Sequence, residues 1–287
     1  MIRNILLFLF ALPSWVCGCA QMEPFSPLAP LERSLLFHPT QYPDTLPTIA
    51  DLQVQEVWIE TEAAALHGLY VPHPDPVGVA LYCHGNAGTV ADRLQTLALM
   101  NQRHGLSVLI FDYQGFGKST GKPTQAGIFK DARAARKWLA DKEQIPESEI
   151  ILMGRSLGGA VAIDLAAEDG AKGLVLASTF TRLPDVAAHH FKLLPVRLLM
   201  THRINSIDKI KNYHGPLLYS HGEQDEVIPY ELGRQLFDAA PGPKQFITIP
   251  DGTHNSGMTE EYRQQFDAFI HSLSATKSAA AYPGISQ

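Results

Sequence analysis

The sequence predicts an α/β fold, a mainly parallel sheet with helices on both faces. Strand-length apolar runs alternate with helix-period segments from about residue 54 to residue 273. Central runs such as Val108–Phe111 are apolar throughout, as expected of strands buried on both faces. Composition fits one such unit. The 287 residues are 45% hydrophobic and 18% charged, an ordinary globular balance. Mean hydropathy is −0.04, which argues against a multispan membrane protein. Lys and Arg total 23 against 29 Asp and Glu, a net charge of −6, so no basic excess points to a nucleic-acid partner.

The elements read in order. Val54–Glu60 and Leu66–Val71 are early strands joined by a turn. Val77–Cys83 is a third strand, running into His84-Gly85-Asn86-Ala87-Gly88. Ala91–His104 reads as a helix through Leu94, Leu97, Ala98 and Met100, and Val108–Phe111 as a buried strand. Pro123 and Thr124 open a helix to about Ala140, with Ile128, Ala132, Ala135, Trp138 and Leu139 on one face. Ile150–Met153 is a strand, Leu157–Ala167 a helix rich in small residues, and Gly173–Ala177 a strand. Pro216–Tyr219, Tyr230–Ala239, Gln245–Ile249 and Glu260–Leu273 complete strand, helix, strand and helix. Residues 274–287 lack apolar periodicity and read as a loose tail.

The N-terminus has a different character. Arg3 is its only charge before Glu23, and an apolar run from Ile5 to Val16 follows, interrupted by Pro13 and Ser14. A positive start, a brief apolar core and small residues describe a secretory signal peptide. The run is short of the roughly 20 apolar residues of a spanning helix. Val16-Cys17-Gly18-Cys19 resembles the bacterial lipobox, with Cys17 an unusual residue in its second position. That resemblance implies cleavage before Cys19, acylation of Cys19 and an exported, membrane-anchored lipoprotein. With Ala20 after the cysteine, it would face the outer membrane in a Gram-negative cell. The alternatives are ordinary secretory cleavage or an uncleaved anchor. Cleavage would leave 287 − 18 = 269 residues and, with Arg3 lost, a net charge of −7. Pro24, Pro27, Pro30, Pro39, Pro43 and Pro47 make residues 19–50 read as an extended tether. Cys83 would be the one free thiol, a packed apolar side chain at a strand end.

Gly154-Arg155-Ser156-Leu157-Gly158 fits G-x-S-x-G directly after a strand and before a helix. There a serine projects its hydroxyl from a tight turn, and the glycines keep the turn and the following helix close to the sheet. A serine hydroxyl needs a base, and in this setting the chain order is Ser, acid, His. His254 lies in a turn after Gln245–Ile249, whereas His271 falls within the last helix, so His254 is the base. Glu223, Asp225 and Glu226 compete as the acid. Asp225, in G-x-x-D-x-x-x-P before Pro229, is preferred. Oxyanion donors would be the backbone N–H of Leu157 and that of Asn86. His84 reads as a brace for its own loop. The adjacent His189 and His190 lack a third ligand at a metal-binding spacing, and no cofactor or metal is expected.

His84–Gly88, Asp112-Tyr113-Gln114-Gly115-Phe116-Gly117-Lys118-Ser119, Gly154–Gly159, Gly222 to Asp225 and Gly252 to His254, in that order, resemble the α/β-hydrolase superfamily over about residues 50–273. They look most like the small-lid serine hydrolases related to serine aminopeptidases and to membrane-anchored palmitoyl-protein thioesterases. The resemblance implies an α/β-hydrolase domain at 51–273 with a short lid at about 179–215. It implies a serine hydrolase that cleaves a small-molecule ester or thioester through an acyl-enzyme. Tyr113, on the Gly-rich loop, is a candidate substrate contact at the pocket rim. In the lid, Phe180, Leu183, Phe191, Leu193, Leu194, Val196, Leu198, Leu199 and Met200 interleave with His189, His190, Lys192, Arg197, His202 and Arg203. They would accept an acyl chain, lie near a membrane or simply cover the sheet. A peptidase or amidase using the same triad is the competing enzyme reading, and perhydrolase chemistry is compatible with it. A binding lipoprotein without catalysis is the competing non-enzyme reading, and it would be signalled by a missing triad member.

Overall fold

The structure is a computed structural model that describes residues 32–33 and 36–280. The leader at 1–18, Cys17, Cys19 and the end of the tail lie outside the described residues. The sheet strands are β1 (Gln55–Glu60), β2 (Ala65–Val71), β3 (Gly78–Cys83), β4 (Leu106–Phe111), β5 (Ile151–Arg155), β6 (Gly173–Ala177), β7 (Leu217–Gly222) and β8 (Lys244–Ile249). They form one eight-stranded sheet in the order β8-β7-β6-β5-β3-β4-β2-β1. β1 pairs antiparallel with β2 and β2 antiparallel with β4. Every other neighbouring pair is parallel. The parallel strands therefore end together, and loops at that end share one edge of the sheet.

Helices α1 (Leu94–Ala98), α2 (Gln125–Glu143), α3 (Leu157–Asp169), α4 (Leu183–His190), α5 (Val196–Leu199), α6 (Ser206–Lys209), α7 (Tyr230–Ala239) and α8 (Glu260–Ala280) make up the layers and the lid. One core, under α2, α3 and α7, holds Leu81, Leu109, Ile128, Leu139, Leu152, Val161 and Leu236. The other, under α1 and α8, holds Ala80, Val108, Leu97, Met153, Phe266 and Ile270. Alternate residues of β3 and β4 feed opposite cores, which is why these strands are apolar throughout.

Four boundaries differ from expectation. The helix expected over 91–104 is a 3-10 turn (Val90–Arg93), α1, and a π turn (Leu99–Arg103). Asn101, inside that π turn, donates its side-chain amide to Pro72 O at 3.1 Å and Leu106 O at 2.9 Å, tying the turn to the sheet. The final helix runs to Ala280, so residues 274–280 are helical instead of a loose tail. They are Ser-Ala-Thr-Lys-Ser-Ala-Ala, whose alanines favour helix without needing an apolar stripe. The described part of the expected tether is docked on the domain. Leu36 and Phe37 are buried in one core, and Tyr42, Leu46 and Ile49 pack against the other. The lid covers the sheet only at its ends, where Phe180, Ile204 and Ile210 are buried. Residues 191–195 and 197–199 in its middle are exposed.

Asp131 of α2 joins this frame to a functional loop by accepting the Gln114 amide at 2.9 Å. Burial pushes its carboxyl up to about 6, against the opposing pull of the Gln114 contacts. The folded chain thus holds a proton here that the unfolded chain releases near pH 4. The stabilisation is complete below that pH and is lost as pH rises through about 6. Asp131→Asn keeps an acceptor for Gln114. It is expected to raise stability at pH 7 by about 1–3 kcal/mol and to give no gain at pH 4. Thermal unfolding of both proteins across this range checks it.

Candidate active site

β5 ends at Arg155 and α3 begins at Leu157, leaving Ser156 alone at the turn. Its backbone sits at φ 54° and ψ −122°, costly for a residue with a side chain and sustained only when the surroundings over-determine it. Ser156 N donates to Ala177 O at 3.0 Å, while Ser156 O accepts from Gly159 N at 3.0 Å and from the Thr179 hydroxyl at 2.8 Å. A Cβ on Gly158 would stand 2.0 Å from Cys83 O and 2.4 Å from His84 O. Only glycine lets α3 start this close to β3.

Asp225 and His254, the expected acid and base, lie within hydrogen-bond reach of each other. His254 Nδ1–H donates to both Asp225 carboxylate oxygens, at 2.9 and 3.0 Å. The proton on Nδ1 leaves Nε2 with its lone pair, the tautomer a general base requires. The two loops are joined by Gln224 N donating to Gly252 O at 2.8 Å. Asp225 is buried, and its Oδ1 also accepts the amides of Val227 at 2.9 Å and Ile228 at 2.8 Å. Burial alone would raise its pKa. Hydrogen bonds from His221, His254 and the Ile228 amide outweigh burial and hold the carboxyl well below the usual range. Asp225 thus stays charged beside His254. Glu223 and Glu226 are both exposed, and Glu226 accepts the His254 amide at 3.2 Å.

Ser156 Oγ makes no hydrogen bond to His254 among the described residues, an arrangement that commonly tightens once substrate is bound. Arg155, beside the serine, donates to Asn255 Oδ1 beside the histidine, a long contact of 3.4 Å. On the other side, a Cβ placed on Gly85 would stand 4.0 Å from Ser156 Oγ. The serine thus faces the His84–Gly88 loop, and its own loop touches the histidine's.

The two expected oxyanion donors are free of internal acceptors among the described residues. Leu157 N occupies the first helical position of α3, and neither it nor Asn86 N donates elsewhere. The loop carrying Asn86 is held from several directions. His38 N donates to Asn86 O at 2.9 Å, and Asn86 Nδ2 donates to Leu36 O at 3.1 Å. His38–Pro39 pairs with Ala87–Gly88 as a short parallel ladder. Beneath the loop, Asp112 Oδ1 accepts the Val90 amide at 3.0 Å and lies 3.4 Å from His84 Nε2. Asp112 therefore ties both ends of the loop to β4. Burial opposes its charge, and His67, His84 and the Val90 amide hold its pKa down.

Tyr113 does not line a rim. It is fully buried, its ring packs against His84, Phe111 and Phe116, and its hydroxyl donates to His84 O at 3.0 Å. The chain turns inward after β4, so the residue expected to touch substrate braces the His84–Gly88 loop. Cys83 is buried and its thiol is pushed up to about 12, so it stays a thiol.

Sequence reasoning missed two contributors. His221 is buried with Nε2 at 2.9 Å from Ile228 O and 3.2 Å from Asp225 Oδ2. Its signal was its position four residues before the acid. Phe37, assigned to the tether, packs edge-on against Phe116 at 6.3 Å, next to the His38–Pro39 ladder. Phe37→Ala is expected to lower kcat on a short-chain ester about tenfold by loosening the Asn86 donor, with the far-UV spectrum unchanged. Steady-state kinetics and circular dichroism check it.

The comparisons with known proteins agree with this geometry. A family model described as "Serine aminopeptidase, S33" matches residues 74–208. An uncharacterised protein of Mycobacterium tuberculosis is 36% identical over 248 residues, covering 85% of this chain and 88% of the relative. The Arabidopsis thaliana "Alpha/beta hydrolase domain-containing protein WAV2" is 32% identical over 234 residues, covering 74% of this chain and 76% of the relative. Among solved structures, the Pyrococcus furiosus esterase Pf2001 superposes with a TM-score of 0.65 at 21% identity, covering 82% of this chain and 98% of that one. Est1E from Butyrivibrio proteoclasticus, solved with ferulic acid bound, gives 0.62 at 21% identity, with coverages of 78% and 99%. The sheet order, the strained serine between strand and helix, and relatives at this identity and coverage lead to one statement: the chain belongs to the α/β-hydrolase superfamily.

Proposed function

We propose that this protein is a serine hydrolase that cleaves a carboxylic ester or thioester through an acyl-enzyme. The observation that carries the reading is the pairing of a strained Ser156 with a buried Asp225 that fixes the His254 tautomer. In this mechanism His254 Nε2 takes the Ser156 proton as Oγ attacks the carbonyl carbon. The amides of Leu157 and Asn86 donate to the oxyanion. His254 then gives its proton to the leaving alcohol or thiol, and the acyl-enzyme forms. A water, deprotonated by His254, attacks the acyl carbonyl, and the carboxylic acid leaves as Ser156 recovers its proton.

The peptidase reading has the family model's description in its favour. An aminopeptidase needs a free carboxylate for the substrate's amino terminus, and the lid's two carboxylates are both engaged. Asp185 accepts from Thr181 and Arg197, and Asp208 from Arg182, Asn205 and Lys211. That favours an ester or thioester. The test compares p-nitrophenyl acyl esters of increasing chain length, acyl thioesters and aminoacyl anilides. Higher kcat/KM on esters or thioesters supports the proposal, and higher kcat/KM on anilides overturns it.

The proposal includes export and acylation at Cys19, supported by the lipobox-like Val16-Cys17-Gly18-Cys19. No helix among the described residues is long and apolar enough to cross a membrane, so in this reading attachment comes from the leader or its lipid. Mass spectrometry of the membrane-extracted protein, looking for an N-terminal diacylglyceryl cysteine, tests it.

A further inference from the structure

The lid has a crest that the catalytic reading does not use. Residues 191–200 read Phe-Lys-Leu-Leu-Pro-Val-Arg-Leu-Leu-Met. Phe191 is 50% exposed, Leu193 98%, Leu194 56%, Leu198 81% and Leu199 49%. Only three other large apolar side chains, Trp58, Val77 and Val227, are comparably exposed among the described residues. Val227 belongs to the same region, because His190 at the end of α4 donates to Val227 O at 2.8 Å. A continuous apolar crest of this kind on a soluble domain marks a surface that meets another apolar phase.

Two further observations identify the phase. The first is charge. The chain carries −6, yet from Leu183 to Arg203 it has Lys192, Arg197 and Arg203 against Asp185, and with Glu32 docked on Thr201 and His202 the local balance is still 3 − 2 = +1. Leucines edged by Lys and Arg suit an anionic lipid surface, where long basic side chains reach headgroups while apolar ones enter the acyl boundary. The second is where the described chain begins. The Glu32 carboxylate accepts from Thr201 N and its hydroxyl and from His202 N, at 2.8–3.0 Å. The preceding residues, whether they start at an acylated Cys19 or keep the apolar run Ile5–Val16 uncleaved, therefore join the domain beside Met200 at the base of the crest. Fifteen residues lie between Val16 and Glu32, and twelve between Cys19 and Glu32. Extended, these stretches reach at most about 45–55 Å, enough to keep an uncleaved apolar run or a lipid on Cys19 in a bilayer while the crest rests on its surface.

We propose that the 191–199 crest is a membrane-docking surface that seats an anionic bilayer beside the active site. Val227 lies two residues after Asp225, and its amide donates to that carboxylate at 2.9 Å. The docked face therefore adjoins the triad, and a substrate partitioned into the outer acyl layer reaches Ser156 with a short exit from lipid. The inference rests on the crest and on Glu32, and it does not require acylation of Cys19.

The test uses the full chain with Cys17 and Cys19 replaced by serine and a nitroxide at Leu198→Cys, Cys83 being buried and unreactive. A control label sits at Lys137→Cys, whose side chain is 67% exposed on α2. Vesicles are phosphatidylcholine with a minority of phosphatidylglycerol. On adding vesicles, the label at 198 is expected to lose collisions with a water-soluble nickel reagent and gain collisions with oxygen, while the label at 137 stays aqueous. Leu193→Asp with Leu194→Asp should abolish the shift yet leave hydrolysis of a short soluble ester unchanged, which also shows that the variant folds. A label at 198 that stays aqueous with vesicles overturns the proposal. So does one already shielded in buffer, because residues 1–31 or a second copy would then cover the crest.

Discussion

Asp225→Asn is expected to lower kcat by about 1,000- to 10,000-fold with little change in KM. Asp225 Oδ1 is committed to two backbone amides, those of Val227 and Ile228. An asparagine therefore keeps its oxygen there and turns its NH2 to the Oδ2 position. That position faces His254 Nδ1 at 2.9 Å and His221 Nε2 at 3.2 Å. His254 Nδ1 must then accept instead of donate, its proton moves to Nε2, and the lone pair that would deprotonate Ser156 is gone. The signature is a loss confined to kcat and partly recovered at high pH, where hydroxide can replace the base. Steady-state kinetics on a short-chain ester across pH, with circular dichroism to confirm the fold, measures it.

Gly158→Ala is the second large effect, and it acts on the fold before the chemistry. The added Cβ would lie 2.0 Å from Cys83 O and 2.4 Å from His84 O, both backbone atoms at the end of a central strand. Neither can rotate away. The start of α3 must lift from the sheet, and Ser156 and the Leu157 amide lift with it. A cost of about 3 kcal/mol or more is expected, at the upper end for a single added methyl. Denaturant unfolding should show the midpoint falling and activity falling with it. Gly257, on the His254 loop with nothing near its absent side chain, serves as the control. Gly257→Ala should leave stability unchanged.

The parts of this molecule that local chemistry determines were legible in the sequence. Gly154 to Gly158 encode a turn that few other residues permit, and Asp225 and His254 sit in short turns directly after strands, so chain order alone brings them to one edge. The sheet was legible because strands buried on both faces are written as unbroken apolar runs. What could not be read depends on partners far along the chain. Leu36–His38 reaches the Asn86 loop across about fifty residues, and the prolines of the tether around it describe an extended chain equally well whether it is free or docked. Tyr113 follows a buried strand into a Gly-rich loop, and only the packing of His84 and Phe116 shows that it points inward. His221 lay just past the expected strand, and only its contacts with Ile228 O and the Asp225 carboxylate give it a place in the site. The lid's leucines fitted a cover over the sheet as well as an outward apolar face, and only their exposure separates the two.

The central claim is that Ser156 is the nucleophile, and covalent labelling tests it most directly. Folded wild-type protein treated with a fluorophosphonate should gain one adduct per chain, located by peptide mass spectrometry on Ser156. Ser156→Ala, with an unchanged melting temperature, should gain none, and His254→Ala should react far more slowly. Labelling of Ser156→Ala at the wild-type rate, or folded wild type that does not react at all, would contradict the account.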